Sequence, residues 1–392
     1  MSKKIILILS VVMLGCLQVL AQDHIAIKHG PYLQNLEGDE VTIVWVASKP
    51  SIGWVELATD GEDNFYTKER EKFFDSSDGI KNIATTHAVR ITNLKPGTKY
   101  RYRIFAREVL KWEYPEVFYG KTASTTIWKD GPLKFTTLDA TRPTVSFAHY
   151  SDIHERAADI PKLFKLAGGK NLDLVIYNGD MSSTAKEEET FFRGFMDTTV
   201  DTFGKEIPMY YARGNHETRS YYSSHFHDYF SPKKPHLYYT FRQGPVFFVV
   251  LDSGEDKPDS DIEYGGLADY DRYRSEQALW LKGVLESKEY QEAPVKIVVT
   301  HVPIAVTKEN WHAEQELLDK FVPLLNEHKP DLVMSGHWHR YAYFEPNSVI
   351  HFPVIVNSNN TVIKTDVDKS AIKMVVYDVD GKTVDKRTVA VK

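Results

Sequence analysis

Polar and apolar positions along the chain follow two rhythms, which change over near residue 140. Between residues 25 and 138 the apolar positions fall in short β-branched or alternating runs: Val41-Thr42-Ile43-Val44-Trp45-Val46, His87-Ala88-Val89-Arg90-Ile91, and Lys99 to Phe105, where Tyr100, Tyr102 and Ile104 share a face. Leu94-Lys95-Pro96-Gly97-Thr98 lies between the last two; Pro presets φ and Gly supplies a left-handed position, the ingredients of a tight turn. Strands at this spacing predict an all-β sandwich of fibronectin or immunoglobulin type. After Thr141-Arg142-Pro143 continuous apolar runs appear at 144–150, 172–177, 208–212, 246–251, 295–300 and 331–334. They alternate with helix-like stretches at 158–167, 187–199, 275–287 and 312–328. Strands covered on both faces and separated by helices predict an α/β domain of layered sheets flanked by helices, over residues 143–392. Residues 350–391 return to strands with a turn at Asp380-Gly381.

The first 21 residues read as a signal peptide. Lys3-Lys4 precede an almost wholly apolar run from Ile5 to Leu20, and Val19-Leu20-Ala21 offers a cleavage site before Gln22. The run is short for a membrane span and no stop-transfer charge cluster follows, so export to the periplasm or medium is expected, with no transmembrane segment in the mature chain. Cys16, after Gly15, is the one cysteine; a lipoprotein signal ending there is the less favoured alternative. Cut after Ala21, the chain has no thiol, so disulfides and thiolate metal sites are excluded. The length of 392 residues suits two domains, and 42% hydrophobic with 26% charged residues suits an ordinary globular protein. The net charge is −6; without Lys3 and Lys4 the 48 basic residues become 46 against 54 acidic ones, giving −8. Such a chain lacks the basic stripe that nucleic-acid backbone binding needs. Oligomeric state is not legible.

Candidate chemistry sits where the apolar runs of the second half stop. They end in Asp152-Ile153-His154, Gly179-Asp180, Arg213-Gly214-Asn215-His216-Glu217, His301 and Gly336-His337-Trp338-His339. In an open α/β sheet ligands bind beyond the carboxyl ends of the strands, so five clusters placed there converge. Carboxylate, amide and imidazole without sulfur suit Zn, Mn or Fe, and the number of ligands exceeds one tetrahedral ion. Two ions about 3.5–4 Å apart with a bridging carboxylate use that number.

The ordered set resembles the signature of calcineurin-like metallophosphoesterases. The first half is similar to the sandwich preceding the catalytic domain of purple acid phosphatases, echoed in Gly30-Pro31-Tyr32-Leu33-Gln34, the 94–100 turn and Phe135-Thr136-Thr137. The resemblance implies a phosphoesterase acting on phosphomonoesters or phosphodiesters of small molecules through in-line attack by a metal-bridging hydroxide. It implies that Asp152, His154 and His339 hold one ion and Asn215, His301 and His337 the other, with Asp180 bridging and His216 facing the substrate as general acid or charge stabiliser. Purple acid phosphatases carry a tyrosine three residues after the bridging Asp; here Ser183 stands there, so a ferric ion and its colour are not implied. Arg213 has two readings, a phosphate clamp or an ion-pair partner of Glu217. His225 and His227 are expected on a solvent-facing loop. Asp252 is a pocket wall or a cap, Trp311-His312 an aromatic platform or a helix start, and residues 264–273 a loop over the active-site face. Gln277, Trp280 and Leu281 are helix-spaced and expected in the core. Two alternatives stand beside this function: a strict phosphodiesterase, and a surface module binding glycan through the sandwich with a structural metal site.

Overall fold

A computed structural model describes residues 24–128, 131–230 and 236–391. The signal-peptide and Cys16 readings lie outside them. No helix among the described residues is long and apolar enough to cross a membrane.

The alternating runs of the first half form a seven-stranded antiparallel sheet. Its axis is the 19-residue strand Val41–Thr59. One end of that strand pairs with Ile27–Gln34 and Ala84–Ile91; the other pairs with Glu71–Phe74 and Lys99–Glu113, across an irregularity between Val46 and Ser51. The long strand thereby carries the sheet over on itself and encloses Trp45, Val55, Val89, Tyr102 and Ile104, all with no exposed surface. Each such side chain contributes ~1.5–3 kcal/mol of burial, less the entropy of ordering it.

The second half holds two six-stranded sheets. One runs Met209–Ala212, Leu174–Asn178, Thr144–Tyr150, Thr361–Asp368, Ala371–Asp378, Thr383–Ala390, its first three strands parallel. The other runs Tyr239–Gln243, Val246–Val250, Val295–Val299, Leu332–Ser335, Val354–Val356, Ala342–Phe344, with four parallel strands in the middle. Phe147, Leu174 and Ile176 of the first pack on Phe248, Val250, Ile297 and Met334 of the second in one apolar layer, with Phe147 and Phe248 edge to face at 5.4 Å. Helix Ile160–Ala167 and the helical stretch from Glu188 to Gly204 cover the outer face of the first sheet. Tyr270–Leu285, His312–Lys320 and Val322–His328 cover the other. The 312–328 periodicity resolves into two helices, divided at Phe321 just before Pro323, whose missing N–H is costless in a first turn. Gln277 and Leu281 are buried as their spacing predicted, whereas Trp280 is half-buried.

The two domains share a packed surface. His29 stacks on Phe192 at 4.1 Å, Lys28 pairs with Glu188 and Glu189 at 2.7 Å, and Tyr102 donates to the Lys205 carbonyl at 2.7 Å.

Candidate metal centre

Asp152 and Asp180 follow the parallel strands Thr144–Tyr150 and Leu174–Asn178 of one sheet; His301 and His337 follow Val295–Val299 and Leu332–Ser335 of the other. The carboxyl ends of both sheets therefore open on one place. Five of the seven ligand candidates hold a left-handed backbone: Asp152 (φ 57°), His154 (46°), Asp180 (53°), His337 (72°) and His339 (54°). This region costs L-residues energy and clusters at functional sites; here it ends each strand abruptly and turns the side chain inward. Two glycines let the loops close. A Cβ on Gly214 would stand 2.2 Å from Asp180 Oδ1, and one on Gly179 2.3 Å from His301 Nδ1.

Each carboxylate spends one oxygen on a neighbouring loop and leaves the other inside. Asp152 Oδ2 accepts from His337 N and Asp180 Oδ1 from His216 N, both at 3.0 Å. Asp180 Oδ2 then lies 3.2 Å from His301 Nε2 and 3.9 Å from both His154 Nε2 and His216 Nε2. Asp152 Oδ1 is buried without a hydrogen bond, 3.4 Å from His339 Nε2. Two ligand-competent sets result: Asp152, His154, Asp180 and His339; and Asp180, His301 and His337. Asp180 belongs to both. Asn215 joins the second set, its Oδ1 3.2 Å from His301 Nε2 and 3.1 Å from His337 Nδ1. Turned over, the amide would donate to Asp180 and both imidazoles and accept from Arg219 at 3.0 Å. The oxygen-inward orientation and the orphaned Asp152 oxygen are arrangements that cations between these groups relieve, so the donor set fits two ions.

Electrostatics follow from burial and crowding. Burial alone would depress His301, but Asp180, Asp152 and the Asn178 carbonyl outweigh it and push its pKa up to about 10. Burial raises Asp180, and His301 and His216 more than reverse this, holding it below the usual carboxylate range. Burial and the neighbouring His301 lower His337 to about 4; burial also lowers His154. The adjacent carboxylate of Asp152 raises His339. Beneath the site, Glu217 accepts from the backbone N–H of Asp180, Ser182 and Gly214 at 2.9–3.0 Å, tying two ligand loops together. Burial, then the Asp180 charge, pushes its carboxyl up.

His216 sits on the cavity side, its Nδ1 2.7 Å from the Ser183 carbonyl. Ser183 Oγ lies 3.3 Å from His154 Nδ1 and donates to Glu155 Oε2. Arg213 fits neither expectation. Its guanidinium is 10% exposed, does not line the cavity, and pairs with Asp252 at 2.9 Å, because Glu217 is already occupied by backbone N–H groups. Asp252 thus serves as that partner and also caps the following turn, its Oδ1 accepting from Gly254 N at 3.0 Å. His225 lies outside the site, paired with Asp228. Trp311 is the helix N-cap position and also lines the cavity. The 264–273 loop supplies Tyr264, bonded to Glu255, before helix Tyr270–Leu285 begins. The sequence reading missed Arg219, Asp256 and Lys257, which line the cavity beside Asn215, His216 and His337. Burial and the adjacent Glu255 hold Asp256 up at about 6. Arg219, six residues past Arg213 and next to the Gly-Asn-His-Glu motif, carried the only signal that could have pointed there.

The profile of the calcineurin-like phosphoesterase family matches residues 145–341, and that of the purple acid phosphatase N-terminal domain matches residues 30–122. Purple acid phosphatase 21 of Arabidopsis thaliana is 26% identical over 304 residues, 74% of this chain and 57% of its own length. Purple acid phosphatase 15 of the same plant is 27% identical over 309 residues, 70% of this chain and 52% of its own length. The chain thus spans little more than half the length of these relatives. Among solved structures, purple acid phosphatase PPD1 from yellow lupin (Lupinus luteus) seeds superposes with a TM-score of 0.66 at 14% identity, over 92% of this chain and 74% of that one. At that identity the likeness is one of fold.

Proposed function

The chain belongs to the calcineurin-like phosphoesterase family, and from that premise we propose that it is an exported phosphoesterase that hydrolyses small phosphomonoesters or phosphodiesters by direct in-line displacement at a dinuclear metal centre. The observation that carries the reading is the shared carboxylate: Asp180 belongs to both ligand-competent sets. Asp152, His154 and His339 would hold one ion, Asn215, His301 and His337 the other, with Zn, Mn or Fe suited to such donors. When bound, the pair supplies a water of lowered pKa and offsets charge on the phosphoryl oxygens.

The chain's own residues supply position and a proton. A bond forms between a water oxygen and phosphorus as the bond from phosphorus to the leaving oxygen breaks, and that oxygen must take up a proton. His216 is placed for this. With Nδ1 donating to the Ser183 carbonyl, Nε2 is the nitrogen that faces the cavity, 3.4 Å from Arg219 Nη1, and as the imidazolium His216 carries a proton there to hand to the leaving oxygen. Asn178 fixes the neighbouring His301 through its carbonyl at 2.7 Å, so that Nε2 faces inward. Export rests on residues 1–21 alone.

The test is metal analysis of the purified chain with kcat on an alkyl phosphate and on 4-nitrophenyl phosphate, for the wild type and His216→Ala. Two equivalents of metal and turnover of an ester are expected. The variant should keep its metals and lose about 10²–10⁴ in rate on the alkyl ester, with a smaller loss on nitrophenolate, which departs without a proton. Equal losses on both esters would make His216 a charge stabiliser; loss of metal would make it a ligand. A metal-loaded chain inactive on every ester would sink the hydrolase reading.

A further inference from the structure

Beyond the ligands the cavity, about 390 Å³, is walled by Arg219, Asp256, Lys257, Trp311, Glu314 and Trp338. The cations there are already committed. Arg219 donates to both oxygens of Glu255, at 2.7 and 3.3 Å, and Lys257 closes on Glu263. Glu314 is satisfied without a cation, accepting from Trp338 Nε1 at 2.8 Å and Trp311 N at 3.0 Å. Asp256 is held more loosely, with Arg219 Nη2 at 3.5 Å and Lys257 Nζ at 4.0 Å. Asp256 and Glu314 on the wall, with Glu255 and Glu263 behind it, outnumber Arg219 and Lys257, and Arg340 stands over the Trp338 ring at 5.3 Å.

Asp256 and Trp311 stand together on this rim. Asp256 Oδ2 lies 4.0 Å from His337 Nε2, and the Trp311 ring, 53% exposed, stands perpendicular to the His337 ring at 6.3 Å. Their segments are joined by Ala313 N, which donates to the Asp256 carbonyl at 3.1 Å. A carboxylate and an accessible indole thus flank one histidine of the centre. A leaving group with further phosphates would meet like charge here. One bearing an ammonium would gain a charge-assisted hydrogen bond and a cation–π contact.

Granting the hydrolase reading above, we propose that this rim selects phosphoesters whose leaving group carries an amine or a quaternary ammonium, with Asp256 and Trp311 as its contacts. The site then has two electrostatic regions: the metal-binding face takes the phosphate, and the acidic rim takes the cation at the other end of the ester.

Two isosteric substrates test it on the metal-loaded full-length chain: 2-aminoethyl phosphate and 2-hydroxyethyl phosphate, which differ in an ammonium against a hydroxyl. The wild type should favour the amine by about tenfold or more in kcat/KM, chiefly through KM, and the preference should shrink as salt is raised. Asp256→Asn should bring the ratio close to one, and Trp311→Leu should reduce it. A wild-type ratio at or below one overturns the proposal. So does an Asp256→Asn variant that loses metal and slows on both esters alike, since Asp256 would then serve the ions. Turnover of 4-nitrophenyl phosphate separates the two levels: activity there without amine preference removes only the selectivity, whereas inactivity on every ester removes the hydrolase reading beneath it.

Discussion

His301 and His339 would serve ions a few ångströms apart, yet their surroundings differ sharply. The His301 side chain is fully buried, and its Nδ1 is held by the Asn178 carbonyl at 2.7 Å. Asn178 is itself locked by its Nδ2, which meets His149 Nε2 at 3.0 Å and donates to the carbonyls of Met334 at 3.1 Å and Thr300 at 3.2 Å. The His339 side chain is 46% exposed, and its companion His154 is steadied by the Ser183 hydroxyl at 3.3 Å. His154 and His339 bring their Nε2 atoms to 3.1 Å, a contact that requires a proton or a cation between them. One half of the centre is preformed by two sheets; the other is assembled on loops at the rim. Ligands on rigid elements pay little ordering entropy on binding, so the Asn215 half should grip its ion the more tightly.

Breaking what the halves share should have the largest effect. Asp180→Asn removes the common carboxylate, so both equivalents of metal should be lost or weakened together and kcat should fall by about 10³-fold or more. Elemental analysis beside kinetics checks this; a variant that keeps one ion and full activity would break the dinuclear reading. Sharpening the contrast needs a change on one side only. Ser183→Ala withdraws the hydroxyl from His154 and should cost the first half about 10–100-fold in affinity while sparing the second. Competition with a chelator would resolve this as one weakened phase and one unchanged phase; equal weakening of both would show that the halves are not independent.

The smallest effect concerns the scaffold beneath the preformed half. Burial depresses His149 from its ordinary 6.5 to about 3. The unfolded chain binds a proton there between those values and the folded one does not. Stability from this group is therefore present above about pH 6.5 and is lost as pH falls toward 3, with a slope near 1.4 kcal/mol per pH unit. Urea unfolding of chelated protein across this range should show His149→Gln flattening the acid limb by about one proton. An unchanged slope would mean that His149 is charged in the fold.

Much of the centre was legible because its parts are local. A continuous apolar run followed by Asp-x-His or Gly-Asn-His-Glu reads as a buried strand ending in donors, and each such run lies within a residue or two of an observed strand. The edge strand Tyr239–Gln243 was not legible, its burial being intermittent. Arg213 shows the limit from the other side. Glu217 was its candidate partner by proximity in sequence, but the fold closes Glu217 onto three backbone N–H groups and brings Asp252 across from a strand end of the other sheet.

The amino-acid sequence by itself determined the chemistry of the donors, the absence of cysteine after Ala21, the change from alternating to continuous apolar runs near residue 140, and the order of five donor clusters. Those are properties of single residues or of neighbours a few positions apart, which periodicity and side-chain type express directly. Only the tertiary structure decided that Asp180 serves both ligand sets, that five ligands adopt a left-handed backbone, and that Asp256 and Trp311 share a wall with His337. These depend on contacts between loops dozens to hundreds of residues apart. Their conformations are imposed by the packing of two sheets, and no local preference of the chain records them.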